Sequence, residues 1–149
     1  MSLDRYFLLL SAYGDQRIDE SGDLAAEQEV LLQGRHIHLW FVPCETDPDA
    51  AQLMARTDVA HLPDAPSAAV CRVLLQANAF WSGIHAGALG LRGSHVVMLS
   101  VSRRIASLDA EDFAVLLQGM VVDARRWSAF LHASREPEHG QWLSPGTLA

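Results

Sequence analysis

Two imidazoles stand at alternate positions in His36-Ile37-His38, on one side of a strand, a spacing that zinc sites use. Such a site needs three or four ligands, and no third residue with suitable spacing follows, so solvent-facing strand histidines are the simpler reading. Glu45, Asp47 and Asp49 alternate like a calcium loop, but the central glycine and the distal bidentate glutamate are missing, which leaves a solvated acidic loop. Gly87, Gly90 and Gly93 recur at three-residue intervals. No Gly-Lys-Ser or Gly-Lys-Thr follows to cradle a phosphate, and tight turns around a short strand account for them. Ser82-Gly83 and Ser94-His95 form no nucleophile elbow, and no aspartate stands in triad order around them. The expectation is no catalytic residue, no metal ligand and no cofactor.

Composition points the same way. At 149 residues, half of them apolar, the chain can bury a core without metal or disulfide staples. One domain over residues 1–133 is expected, followed by a mobile tail over 134–149, where Pro137, Gly140, Pro145 and Gly146 break every pattern. Eleven basic against eighteen acidic residues give a net charge of −7, which repels phosphate backbones and anionic lipid and argues against nucleic acid or membrane as partner. Cys44 and Cys71 have neither zinc spacing nor a disulfide framework and suit a reducing cytoplasm. The opening MSLDRYFLLLSAYGD is read as neither a signal peptide nor a span, because Asp4 and Arg5 precede a short apolar cluster.

The elements follow from periodicity. Ser2 can cap a first helix with Leu3, Tyr6, Phe7 and Leu10 on one stripe. After a polar loop over Asp15–Asp23, a strand around Glu27–Leu32 meets a tight turn at Gln33-Gly34. Arg35 to Pro43 then alternates, with Ile37, Leu39 and Phe41 on one face and His36, His38, Trp40 and Val42 on the other. A less regular strand is expected around Gln52–His61. Asp64 and Pro66 signal a helix running to Trp81, with Gly83 ending it. Strands over Ala88–Leu91 and His95–Ser102 follow, and Asp109 caps a long final helix through Leu131. The order α-β-β-β-α-β-β-α specifies an α+β fold, a twisted antiparallel sheet with helices packed on it.

The stretch from Leu74 to Leu131 resembles a known family in its joint order: LLQAN at Leu74–Asn78, Leu89-Gly90-Leu91, Arg103-Arg104-Ile105, Leu108-Asp109, then Phe113 and Trp127. The resemblance is to the class I chaperones of bacterial type III secretion, the Tir-chaperone or CesT-like group. It implies a small acidic homodimer in the bacterial cytoplasm. Such a dimer binds an extended segment near the N-terminus of a secreted effector, without ATP, and keeps it soluble and export-competent. The chain departs from the family pattern at Ile84-His85-Ala86, in its acidic loop and in its tail, which bears on the client more than on the fold.

The residues suggest where these surfaces lie. Val70, Val73, Leu74, Ala77, Phe80 and Trp81 make a helix face broader than one core contact needs, and they are expected to form the dimer interface. Trp40 and Val42, beside His38 on the outward face of their strand, are expected to contact the client, with Leu9 and Tyr13 on the flank of the first helix as a second surface. The competing readings are a small ligand-binding or metal-binding α+β domain that uses the histidines, and an adaptor dimer with a folded partner.

Overall fold

The turn at Gln33-Gly34 fixes the first hairpin. Gln33 (φ 51°) and Gly34 (φ 79°) both adopt left-handed backbone, which matches the right-handed twist of paired strands. In the computed structural model, which describes residues 2–14, 26–80 and 87–133, the elements are α1 (Ser2–Leu10), β1 (Glu27–Leu32), β2 (Arg35–Val42), β3 (Gln52–His61), α2 (Ala68–Phe80), β4 (Ala88–Arg92), β5 (Val96–Arg104) and α3 (Ala110–Ala133). Single turns of 3-10 helix lie at Ser11–Tyr13, Pro48–Ala50 and Ile105–Ser107. The strands form an antiparallel five-stranded sheet in the order β1-β2-β3-β5-β4. The α+β class and the element order read from periodicity are therefore observed. The expected loop over Asp15–Asp23, the helix end at Gly83 and the tail after Ala133 lie outside the described residues.

Contacts gather the chain into two compact units, Met1–Thr57 with Val101–Gln118 and Asp58–Ser100 with Gly119–Ala149. In the first, β1 and β2 pair with Val30 opposite Ile37 and Gln28 opposite Leu39. β2 and β3 pair with Leu39 opposite Ala55 and Phe41 opposite Leu53. Val30, Ile37, Leu39, Leu53 and Ala55 are buried, so alternation places one side of all three strands in the core. Tyr6 of α1 is completely buried there. Its hydroxyl is 3.1 Å from the Ala26 carbonyl oxygen and 3.2 Å from that of Leu39, and its ring is tilted 5.9 Å from Phe41. Arg5 ties the same helix down by donating to the Leu108 carbonyl at 3.0 and 2.5 Å.

This anchoring revises the first helix. Tyr6, Leu9 and Leu10 face inward, whereas Leu3 of the expected stripe is exposed and Phe7 is half-buried. A phenol whose hydroxyl must reach backbone carbonyls sets the rotation of so short a helix, and Leu9 follows Tyr6 at i+3.

In the second unit α2 starts later than Asp64 and Pro66 suggested. Ser67 caps it, its hydroxyl accepting from the Val70 amide at 3.3 Å and its carbonyl from the Cys71 amide at 3.0 Å. Pro66 disfavours helical backbone at Ala65, so the helix begins only after the proline. Asn78 near its end holds β4. The Asn78 amide nitrogen donates to the Leu89 carbonyl, and the Leu89 amide donates back to the Asn78 side-chain oxygen, both at 2.8 Å. β4 and β5 pair with Leu89 opposite Leu99. Both strands end two residues or fewer beyond the expected limits. The cap of α3 is as read, with Asp109 Oδ1 accepting from the Asp112 amide at 2.8 Å. Met120, Val121, Ala124, Trp127 and Leu131 are its buried face in this unit.

Burial, and after it the nearby Glu27 charge, raise the Tyr6 pKa well above the usual value of 10.0. The native state therefore holds the Tyr6 proton more tightly than the unfolded chain does, so stability falls as pH rises above the unfolded value. Tyr6→Phe is expected to cost about 1 kcal/mol at neutral pH and to flatten the loss of stability in alkali. Urea midpoints of both proteins at neutral pH and above pH 10 check this; equal alkaline slopes would refute it.

Candidate functional site

The same alternation that fills the core of the first unit sorts a different set of side chains outward. Trp40 lies between Glu27 on β1 and Met54 on β3, and His38 lies between Glu29 and Arg56. Val42 stands opposite Gln52 at the end of the row. Leu31 (63 % exposed), Met54 (42 %) and Val42 (38 %) leave apolar surface open to water. Trp40 and His38 are half-buried because they cover each other. Their rings stack at 6.1 Å with an interplanar angle of 27°, and the Arg56 guanidinium lies over the indole, 4.7 Å from its centroid.

The polar margin is sorted by strand. Glu27 and Glu29 of β1 form an acidic border, and Glu29 pairs closely with His36. His36 is thus engaged by a carboxylate, which is the ordinary use of a surface imidazole. On the far side the Ser102 hydroxyl donates to the Gln52 side-chain oxygen. In the loop before β3, the Thr46 hydroxyl and then the amides of Asp47 and Thr46 hold the Cys44 thiol below its usual range. Among the described residues, no three His, Cys, Asp or Glu side chains converge as metal ligands.

The expected client residues separate. His38, Trp40 and Val42 stand together on the outward face. Tyr13 is half-buried, with its ring edge-on to Phe113 at 5.5 Å, and burial raises its pKa. Leu9 is buried in the core, so it does not share a surface with them. Arg56 and Met54 were missed because β3 reads irregularly on its own. Its partner register, with Gln52, Met54 and Arg56 outward against Leu53, Ala55 and Thr57 inward, was the signal available.

The expected dimer residues separate as well. Leu74 and Ala77 are buried within the protomer, while Val70 and Val73 are half-exposed. α2 packs against β4, so this stripe is at least partly the helix's own core contact. Phe80 is the last residue of α2, and Trp81 lies outside the described residues. Leu75, 69 % exposed, is the large apolar side chain that α2 presents outward.

The fold is thus an α+β sheet with an outward aromatic and aliphatic row. The Tir chaperone protein (CesT) family model matches residues 24–128, and the chain belongs to that family. Among solved structures, it is similar to a chain of the ExsC-ExsE complex, with a TM-score of 0.65 and 19 % identity over 87 % of this chain and 94 % of that one. It is also similar to a chain in the structure of the Yersinia Pestis type III secretion chaperone SycH in complex with a stable fragment of YscM2. There the TM-score is 0.56 and the identity 16 %, over 83 % of this chain and 97 % of that one. No match to a curated protein sequence accompanies these structural likenesses. No helix among the described residues is long and apolar enough to cross a membrane.

Because Trp40 lies on the open side of the sheet, Trp40→Ser is expected to change folding stability by no more than about 1 kcal/mol. A Phe113→Ala core change should cost about 3–5 kcal/mol. Thermal or urea unfolding of both variants checks this contrast, and comparable losses would show that Trp40 is structural.

Proposed function

We propose that this chaperone binds an extended segment near the N-terminus of a secreted effector in the bacterial cytoplasm, keeping it soluble and export-competent without ATP and without enzymatic activity. The observation that carries the reading is the outward row of Trp40, Val42 and Met54 on β2 and β3. A row of apolar side chains at alternate positions, left open to water, fits the alternate side chains of an extended chain. The family supports the client class, and the two similar structures are both complexes.

Backbone pairing at a sheet edge would add affinity with little demand on client sequence. The β1 end is the better candidate, because Asn78 already occupies the Leu89 amide and carbonyl of β4. Many modest contacts of this kind offset the ordering entropy of a disordered client and still let the export machinery strip it off.

The working unit is proposed to be a homodimer formed through α2, as the family resemblance implies. Leu75 is the exposed α2 side chain that a second copy would cover, and the half-exposed Val70 and Val73 lie on the opposite side of the helix; Phe80 and Trp81 follow in the sequence. Leu74 and Ala77 would support that surface from beneath.

Trp40→Glu is expected to weaken capture of a copurifying secreted protein at least about tenfold, the effect of about 1.4 kcal/mol, while leaving the dimer intact. Unchanged capture would remove the β2–β3 face from the client site. Leu75→Asp is expected to shift the chain toward monomer in sedimentation analysis. A dimer of undiminished stability would exclude this face of α2.

A further inference from the structure

Arg56 differs from the other arginines whose contacts are defined. Arg5 donates to the Leu108 carbonyl and Arg92 to Asp58 at 2.6 Å. The Arg56 guanidinium instead lies 4.7 Å from the centroid of the Trp40 ring, and among the described residues no carboxylate or carbonyl pairs with it. Its cross-strand neighbour is His38, which supplies no anion. Of the acids of this face, Glu27 and Glu29 sit two strands away on β1, about 10 Å by ordinary sheet spacing, and Asp58, the next outward residue along β3, pairs with Arg92 at 2.6 Å. Glu29 is already paired with His36.

A guanidinium over an indole face still has N–H donors around its edge to offer an acceptor. Trp40 faces Met54 directly, and Arg56 faces His38 one alternate position along. Met54 and Arg56 are alternate outward residues of β3, so their backbone positions lie about 7 Å apart, the repeat between same-side residues of an extended chain.

We propose that Arg56, seated on Trp40, is a specificity determinant that reads an acidic side chain of the client two residues from an apolar one. The occupant is an extended segment of apolar-x-Asp or apolar-x-Glu character, its apolar side chain against Trp40, Met54 and Val42 and its carboxylate on the Arg56 fork. This rests on the reading of the β2–β3 face as the client site. It also opposes what net charge alone would give, since a chain of net charge −7 should favour basic segments.

The test is selection of a displayed random-peptide library on the full-length protein and on its folded Arg56→Gln and Arg56→Glu variants, with folding verified by circular dichroism. The native protein is expected to enrich apolar-x-acidic peptides. Arg56→Gln should keep the apolar preference and lose the acidic one, and Arg56→Glu should turn it toward Lys and Arg. For one enriched peptide, changing its acid to the amide should weaken binding to the native protein about tenfold and to Arg56→Gln by less than about threefold. Enrichment of apolar peptides without acidic preference, or an acid effect that survives Arg56→Gln, would overturn the inference and leave the client face standing. Peptides insensitive to Trp40→Glu, or no enrichment at all, would overturn both.

Discussion

Alternation along β2 is the constraint on which the first unit depends. Its inward residues Ile37 and Leu39 are fully buried, so His36, His38, Trp40 and Val42 must point outward. A slip of one residue would exchange the two sets. The Gln33-Gly34 turn prevents that slip on one side, because its positive φ values allow a two-residue connection and a single pairing of β1 with β2. Tyr6 reinforces the register from above, by a hydroxyl that reaches the backbone of β2 at Leu39 and of Ala26 just before β1. The composition of the outward row is thus a by-product of core formation, and its chemistry is free to serve recognition.

An exposed aromatic row carries a solubility cost, and the structure limits it with neighbouring side chains. Arg56 spreads over one face of Trp40 and His38 stacks beside it, so the largest apolar surface is partly covered by groups that water also solvates. Glu27 and Glu29 add like charge along the border, which disfavours contact with other acidic surfaces, including further copies of this chain. Val42 and Met54 stay open.

Features set by local chain chemistry were legible in the sequence. β2 follows from strict alternation, the hairpin from Gln33-Gly34, and the start of α3 from Asp109 with Glu111 and Asp112 behind it. Features set by a distant partner were not. The rotation of α1 depends on carbonyls at Ala26 and Leu39, which no helical wheel contains. Ser67 displaces Asp64 as the cap because Pro66 intervenes. Arg56 gains its meaning only from lying across from His38 and above Trp40, a relation fixed by β2–β3 pairing across a loop whose length does not dictate register. In α2, periodicity found the apolar stripe but could not tell a surface buried by β4 from one left for a second chain. Leu75, on the other side of that helix, breaks the pattern and was passed over.

The two sheet ends are chemically unequal, and the inequality bears on how an extended partner would approach. At β4, Asn78 presents an amide that mimics a neighbouring strand, satisfying both the N–H and the C=O of Leu89. An added strand would have to displace two hydrogen bonds there, each supported by a side chain already ordered in α2. This gives the Asn of LLQAN a physical role: it ties the second helix to the end strand and blunts that edge. β1 adjoins the β2 row that carries Trp40. A client held at β1 by its backbone would therefore begin beside the apolar row, so edge pairing and side-chain reading can act on one continuous segment.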